Sequence, residues 1–118
     1  MMRSAIVHQP IDLAALIAEV AANSNGATVL FTGSVRELSE GRSVSGIDYD
    51  AYEAMAAEEL ARIVREATER FGSTHVVAEH RVGSLALGEV SVAIAVGHPR
   101  RAPAFEAARY VIEEIKLR

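Results

Sequence analysis

The chain has 118 residues, of which 50% are hydrophobic and 24% charged, proportions typical of one compact globular domain rather than a disordered or fibrous protein. Its formal charge of −4 argues against nucleic-acid binding, which usually requires a basic excess. The absence of cysteine excludes disulfides, thiolate metal sites and cysteine nucleophiles, and is compatible with a reducing cytoplasm. No segment approaches the roughly 18 apolar residues of a membrane span. We therefore expect a cytoplasmic protein that binds neither nucleic acid nor membrane.

Hydrophobic patterns in the first half of the chain predict five elements. They are a short strand at residues 4–8, a helix at 12–22, a buried strand at 27–35, a polar loop at 36–43 and a half-buried strand at 44–52. Asp12 is placed to cap the helix.

In the second half, apolar residues at a spacing of three to four predict a long helix over residues 53–71, with Gly72 as its C-cap. Three strands follow at 74–82, 84–87 and 89–97, and a last helix begins near Arg101. This order predicts one α+β domain over residues 1–118, with helices packed on a mostly antiparallel sheet.

The first candidate site is the segment Phe31-Thr-Gly-Ser-Val-Arg36, in which a buried strand ends in an arginine before a polar loop. A guanidinium at such a rim can bind a phosphate or a carboxylate in a bidentate manner. The alternative is that Arg36 is a surface residue paired with Glu37 or Glu40.

The second candidate is His98-Pro99-Arg100-Arg101 at the start of the last helix. Backbone N–H groups at a helix start, two guanidiniums and an imidazole are suited to binding an anion. A solvated basic turn would have the same sequence.

His80 follows an apolar strand and is either a general base or a structural histidine. His75 lies five residues earlier and therefore on the opposite face of the strand. Because the histidines lack the spacing of metal ligands, we predict no metal site.

Lys116 is the only lysine in the chain and borders the apolar stripe of the last helix. A desolvated amine there would suit nucleophilic or acid–base chemistry, whereas a lysine paired with Glu113 would be structural. Along the helix, Lys116 lies about 22 Å from Arg101. If both serve one small ligand, we expect a second chain to supply one of them.

Four segments together resemble one known family over nearly the whole chain from Gly26 onward. They are Phe31-Thr-Gly-Ser-Val-Arg36; Asp48-Tyr-Asp-Ala-Tyr52 with Met55; His80-Arg81-Val-Gly83 continuing through Leu85, Gly88-Glu89 and Ser91-Val92; and Arg101-x-x-Ala-Phe-Glu-Ala107 with Glu114-Ile-Lys116. The family is that of the large, catalytic subunit of molybdopterin synthase, the MoaE family.

The resemblance implies an α/β hammerhead-type fold with an additional antiparallel β subdomain, and a homodimer. Each end of the dimer would bind a small ubiquitin-like sulfur carrier (MoaD-like), giving a heterotetramer. The carrier's C-terminal thiocarboxylate would donate sulfur to cyclic pyranopterin monophosphate (precursor Z) to form molybdopterin. The resemblance implies no cofactor.

By the same resemblance, Arg36 and Arg101 correspond to substrate-pocket arginines and Lys116 to the first of two catalytic lysines. Two departures stand out. The family histidine before the helix-start arginine is replaced by Arg100, so His98 or Arg100 is expected to take its place in the pocket. The family also continues beyond Lys116 to a second lysine, whereas this sequence ends at Arg118. A truncated, non-catalytic homologue that only docks the carrier is the alternative.

Overall fold

A computed structural model describes residues 1–36, 53–72 and 74–118 in full and, between the first two ranges, the backbone of three short strands. The elements are β1 Met2–Val7, α1 Leu13–Val20, β2 Ala27–Ser34, β3 Leu38–Ser39, β4 Arg42–Ser43, β5 Gly46–Asp48, α2 Glu53–Phe71, β6 His75–Arg81, β7 Ser84–Ala86, β8 Val90–His98 and α3 Arg101–Leu117.

The main sheet has the strand order β1-β6-β8-β2. β1 runs parallel to β6, whereas β6 and β2 are both antiparallel to β8. In this register His80 lies between Ile6 on β1 and Val92 on β8, and Gly33 on β2 is also opposite Val92. Among the strands described, β2 pairs only with β8, so it is an edge of the main sheet.

The two faces of this sheet carry separate cores. α2 and α3 cover one face, where they pack on Val76 and Ala78 of β6, and α1 covers the other, where it packs on Val77. Side chains alternate between the faces of a strand, so His80 belongs to the α2–α3 face and His75 to the α1 face. Coverage on both sides explains why β8 is almost continuously apolar and why the middle of β6, Val76 to Ala78, is apolar on both faces.

Specific contacts fix the ends of the helices. The Asp12 carboxylate accepts a hydrogen bond from the Ala15 N–H at 3.1 Å and caps α1. The far end of α1 approaches β8 so closely that a Cβ on Gly97 would lie 2.4 Å from the Val20 carbonyl oxygen. Gly72, with φ of +49°, follows the last residue of α2 as predicted.

A cluster of polar side chains joins α2 to the end of α3. Arg118 forms ion pairs with Glu66 at 2.6 Å and with Glu114 at 2.8 Å, and the Tyr110 hydroxyl donates to Glu66 at 2.8 Å. These contacts fix the last turn of α3, which contains Lys116.

The predicted α+β class with a mostly antiparallel sheet is confirmed, and the helix predicted over 53–71 has those bounds.

The loop predicted at 36–43 is wrong in part, because its backbone forms the pair β3–β4. Within 44–52, the described strand is β5, which pairs with β7, and residues 44, 45 and 49–52 lie outside the described residues. The strands of the pair β3–β4 have two residues each, which is too short to show an apolar alternation in the sequence. Of the helices described, none is both long and apolar enough to cross a bilayer.

Candidate active site

A pocket of about 330 Å³ lies where the ends of β2 and α3 meet. This volume is at the lower end of the range of small-molecule sites. Its lining comes from β2 and the two residues that follow it, and from β6, β8 and α3. The lining residues are Phe31, Gly33, Ser34, Val35, Arg36, His80, Ser91, Val92, Ile112, Ile115 and Lys116. Two sequence-predicted site residues, Arg36 and Lys116, therefore meet in one pocket of a single chain.

Arg36 is positioned by the backbone of the residue before it. Val35 is buried; its N–H donates to the Glu89 carbonyl at 2.9 Å, and its own carbonyl accepts from the Gly88 N–H at 2.8 Å. Because both sides of Val35 are bonded to the turn before β8, the chain direction is fixed where β2 ends. The exposed Arg36 side chain consequently emerges at the rim of the pocket.

The turn that holds Val35 is itself fixed by an ion pair. Arg81 contacts Glu89 at 2.8 Å, and the same carboxylate accepts from the Ala86 N–H at 2.8 Å. The Ala86 N–H and then the Arg81 guanidinium hold the pKa of the Glu89 carboxyl below its usual value. Gly88 adopts a φ of +85°, which a glycine accommodates without strain. Gly88 and Glu89, which belong to the segment that resembles the family, thus hold the turn that positions Val35 and Arg36.

Gly33 forms part of the pocket floor. A Cβ at this position would lie 2.7 Å from Cγ1 of Val92, a short branched side chain that has little freedom to move away. The Ser91 hydroxyl donates to the Gly33 carbonyl at 3.3 Å. Only glycine fits here without displacing Val92, which explains this residue in the segment that ends at Arg36.

His80 also lines the pocket, from the middle of the sheet. Its Nδ1 lies 3.2 Å from the Arg81 carbonyl oxygen, and burial lowers the pKa of its imidazole. Sequence reasoning considered His80 by itself and did not place it beside Arg36 and Lys116. The alternation of faces along β6 was the available signal, since it puts His80 on the side covered by α3.

Lys116 reaches the pocket from the last turn of α3, next to the apolar side chains of Ile112 and Ile115. The predicted alternative, a pair between Lys116 and Glu113, is wrong, because Glu113 pairs instead with Arg109 at 3.0 Å. Within the described residues Lys116 forms no ion pair, and its side chain is exposed at the rim.

The cluster at the start of α3 lies away from this pocket. Arg100 and Arg101 are exposed at the opposite end of the helix from Lys116, about 22 Å away along its axis. Neither they nor His98 belong to the lining of the pocket in their own chain.

His98 is buried, with 3% of its surface exposed, and both ring nitrogens contact backbone groups. Nδ1 accepts from the Arg100 N–H at 2.9 Å, so Nε2 carries the hydrogen and donates to the carbonyls of Gly72 at 2.9 Å and Phe71 at 3.2 Å. The ring therefore joins the end of α2 to the start of α3. It positions Arg100 and is not presented to a ligand of its own chain.

The pocket combines cationic side chains at the rim with serine hydroxyls and apolar walls. Guanidinium and ammonium groups attract phosphate and carboxylate oxygens, and the apolar walls weaken competition from water. No group of three metal-binding side chains occurs in the described part of the chain. Fold and site together define an α+β protein with a pocket whose lining is suited to a small anionic ligand.

Comparison with known proteins identifies the family. The family model described as "MoaE protein" matches residues 6–118. A molybdopterin synthase catalytic subunit from Halalkalibacterium halodurans is 43% identical over 114 residues, which are 97% of this chain and 73% of that protein.

Solved structures agree with this result. The molybdopterin synthase structure from Staphylococcus aureus has a TM-score of 0.87 and 38% identity, covering 94% of this chain and 81% of that one. A complex of subunits 1 and 2 of the molybdopterin-converting factor from Helicobacter pylori has a TM-score of 0.76 at 24% identity, covering 96% of this chain and 77% of that one; this likeness concerns the fold. The chain belongs to the MoaE family, as its sequence motifs predicted. The expectation of an enzyme of molybdopterin synthesis is likewise confirmed.

Proposed function

We propose that this chain is the catalytic subunit of a molybdopterin synthase that acts on precursor Z. It transfers sulfur from the thiocarboxylated C-terminus of a small ubiquitin-like carrier to this cyclic pyranopterin monophosphate. The observation that carries the proposal is the meeting of Arg36 and Lys116 in one pocket of a MoaE-family chain.

Each cation has its own role in this reaction. Arg36 binds the cyclic phosphate of the precursor, because its planar guanidinium offers paired donors to phosphate oxygens. Lys116 lies beside the acyl sulfur of the carrier and acts on it as the catalytic amine. Fixed positive charges next to the reacting groups supply orientation and electrostatic stabilisation of the transition state.

The carrier delivers its C-terminal tail to the open side of the pocket. The solved Helicobacter pylori protein with this fold is itself a complex of two subunits, which supports a protein partner for this chain. The 330 Å³ pocket suits the end of a peptide and a small acceptor rather than a folded domain.

A second copy of this chain completes the pocket. β2 is an edge strand, with Ala27 near the helix start that carries Arg101 and Ser34 near the pocket. If β2 pairs antiparallel with its equivalent about a two-fold axis, the start of one strand meets the end of the other. Arg100 and Arg101 of the partner subunit then approach Arg36 and Lys116 of this chain, and His98 holds the partner's arginines in position. The assembly is a cytoplasmic homodimer with a carrier at each end.

A reconstituted sulfur-transfer assay tests this function. The chain is mixed with thiocarboxylated carrier and precursor Z, and molybdopterin is measured as its oxidised fluorescent derivative. Carrier with an ordinary C-terminal carboxylate is the matched control, because it docks without donating sulfur. We expect product only with the thiocarboxylate. Carrier binding without product, from folded protein, would support the alternative of a docking homologue.

A further inference from the structure

Arg118 is placed to fix the position of a side chain to which it is not bonded, that of Lys116. Lys116 lies in the last turn of α3, and helix ends fray because their final carbonyls lack partners within the helix. Ile115 packs this turn against the core from the pocket side. Of residues 116–118, only Arg118 forms a hydrogen bond or an ion pair with another element in the described part of the chain. The order of this turn therefore depends on Arg118 as well as on Ile115.

The guanidinium of Arg118 bonds to two carboxylates of α2. It contacts Glu66 in a bidentate manner, from Nη2 to Oε1 at 2.6 Å and from Nη1 to Oε2 at 3.3 Å, and Nη1 also donates to Glu59 at 3.2 Å. The Tyr110 hydroxyl donates to Glu66 at 2.8 Å and so fixes the same carboxylate from α3. A bidentate contact restricts orientation as well as distance, unlike a contact between point charges. α2 thus holds the end of α3 in a defined orientation.

The contacts of Arg118 lie on the side of α3 away from Lys116. Arg118 also pairs with Glu114 of α3 at 2.8 Å, and its N–H donates to the Glu114 carbonyl at 3.0 Å. Glu114 and Lys116 are two residues apart and therefore about 200° apart around the helix. Arg118 consequently holds the turn on the α2 side, whereas Lys116 emerges on the side where the pocket lies. Fixing the turn on one side sets where the Lys116 side chain begins on the other.

We propose that Arg118 is a positioning residue for Lys116, which it keeps in the pocket by bonding the last turn of α3 to Glu66 of α2. Arg118 itself is outside the lining of the pocket. This role rests on the proposed function, since Lys116 is the catalytic amine of that sulfur transfer. Without Arg118 the amine is present but misplaced, and misplacement of a catalytic group by about 1 Å lowers rates by up to about 10²-fold.

The first test measures the reconstituted sulfur-transfer reaction with Arg118→Met, which keeps a long side chain but removes the charge and the donors. We expect kcat to fall about tenfold and the KM for precursor Z to stay within about twofold of wild type, because Arg36 binds the precursor from the end of β2. Arg118→Lys should recover part of kcat, since it restores the charge without the bidentate contact. Arg109→Met is the matched control and should keep the wild-type kcat. Arg109 lies on the same helix, but its pair with Glu113, at 3.0 Å, does not reach α2.

The second test needs no activity. Because Lys116 is the only lysine in the chain, labelling with ¹⁵N-lysine gives a protein with one labelled backbone amide, in the turn that Arg118 holds. We expect the NMR order parameter of this amide to be near the value of about 0.85 of a rigid backbone in wild type and in Arg109→Met. In Arg118→Met it should fall below about 0.6.

Three results would overturn the role of Arg118: a wild-type kcat in Arg118→Met, an order parameter in Arg118→Met equal to that of wild type, or an equal loss of kcat in Arg109→Met. If wild-type protein itself makes no product, the proposed function fails, and the order parameter alone then decides whether Arg118 holds Lys116 in place. If Arg118→Met does not fold, Glu66→Gln replaces it in both tests, since it removes the charge of the partner carboxylate on α2.

Discussion

Arg36 and Lys116 line the same pocket from the ends of β2 and α3, whereas Arg101, on the same helix as Lys116, lies at its opposite end. A strand end and a helix end meet here because α3 packs over β8 and β2 on one face of the sheet. The two cations of the single-chain pocket are therefore fixed by tertiary packing. Any contribution of Arg101 must come from another chain, since about 22 Å of rigid helix separates it from Lys116.

Replacing Lys116 with alanine should remove catalysis and leave the fold intact. Its side chain is exposed at the pocket rim and forms no ion pair within the described residues. We expect kcat to fall about 10²-fold or more, measured as molybdopterin formed per unit time. Arg109→Ala, also on α3 but outside the pocket lining, is the control and should keep wild-type kcat. A Lys116→Ala protein with normal turnover would refute the catalytic role.

Replacing Arg36 with alanine should mainly weaken binding of the precursor. A charge-assisted hydrogen bond to phosphate contributes about 1.5–3 kcal/mol, so the KM for precursor Z should rise at least about tenfold. Arg36→Lys should recover part of this loss, because it restores the charge but not the paired donors. Steady-state kinetics at saturating carrier measure the change, and an unchanged KM would exclude the phosphate contact.

Mixing two inactive variants tests whether the pocket spans two chains. In a heterodimer of Lys116→Ala with Arg101→Ala, one pocket contains both substitutions and the other contains neither. Random reassortment should therefore restore about a quarter of wild-type activity. A mixture of Lys116→Ala with Arg36→Ala is the control, because both substitutions affect the pocket of their own chain and no intact pocket can form. Both mixtures are assayed with precursor Z well below the wild-type KM, where the weaker binding of Arg36→Ala lowers the rate. Equal, negligible activity in both mixtures would contradict the two-chain pocket.

Acid should destabilise the fold through carboxylates that are paired in the folded protein. Arg3 contacts Glu19 and Glu79, each at 2.6 Å, and its hydrogen bond lowers the pKa of Glu19. Because the pKa of Glu19 is lower in the folded protein than in the unfolded chain, where it is about 4.3, its ionised form stabilises the fold above that pH. This stabilisation is lost as the pH falls through the pKa of the folded state. The free energy of unfolding, measured with urea, should therefore decrease below that pH. Arg3→Met should show a smaller decrease than wild type, and an unchanged slope would rule out this ion pair as a cause.

The sequence alone determined the class of the fold and most of its elements. Alternating or continuous apolar residues define strands, and the three-to-four spacing over residues 53–71 defines α2, because each periodicity matches the burial of one structure. The sequence predicted strands over 44–52 and 84–87, where β5 and β7 lie, but not that these two strands pair. The pair β3–β4 was beyond this reasoning, since strands of two residues are too short to show such a pattern. The motifs that contain Arg36 and Lys116 likewise identified the family without coordinates.

Only the tertiary structure decided which chemical groups share a site. His98 and Arg101 look like one anion-binding cluster in the sequence, but the ring of His98 is buried against the end of α2. His80 looked isolated, yet the packing of α3 over the sheet places it with Arg36 and Lys116. Local sequence sets the direction of each side chain within its element, whereas the approach of distant elements depends on how their apolar faces pack together.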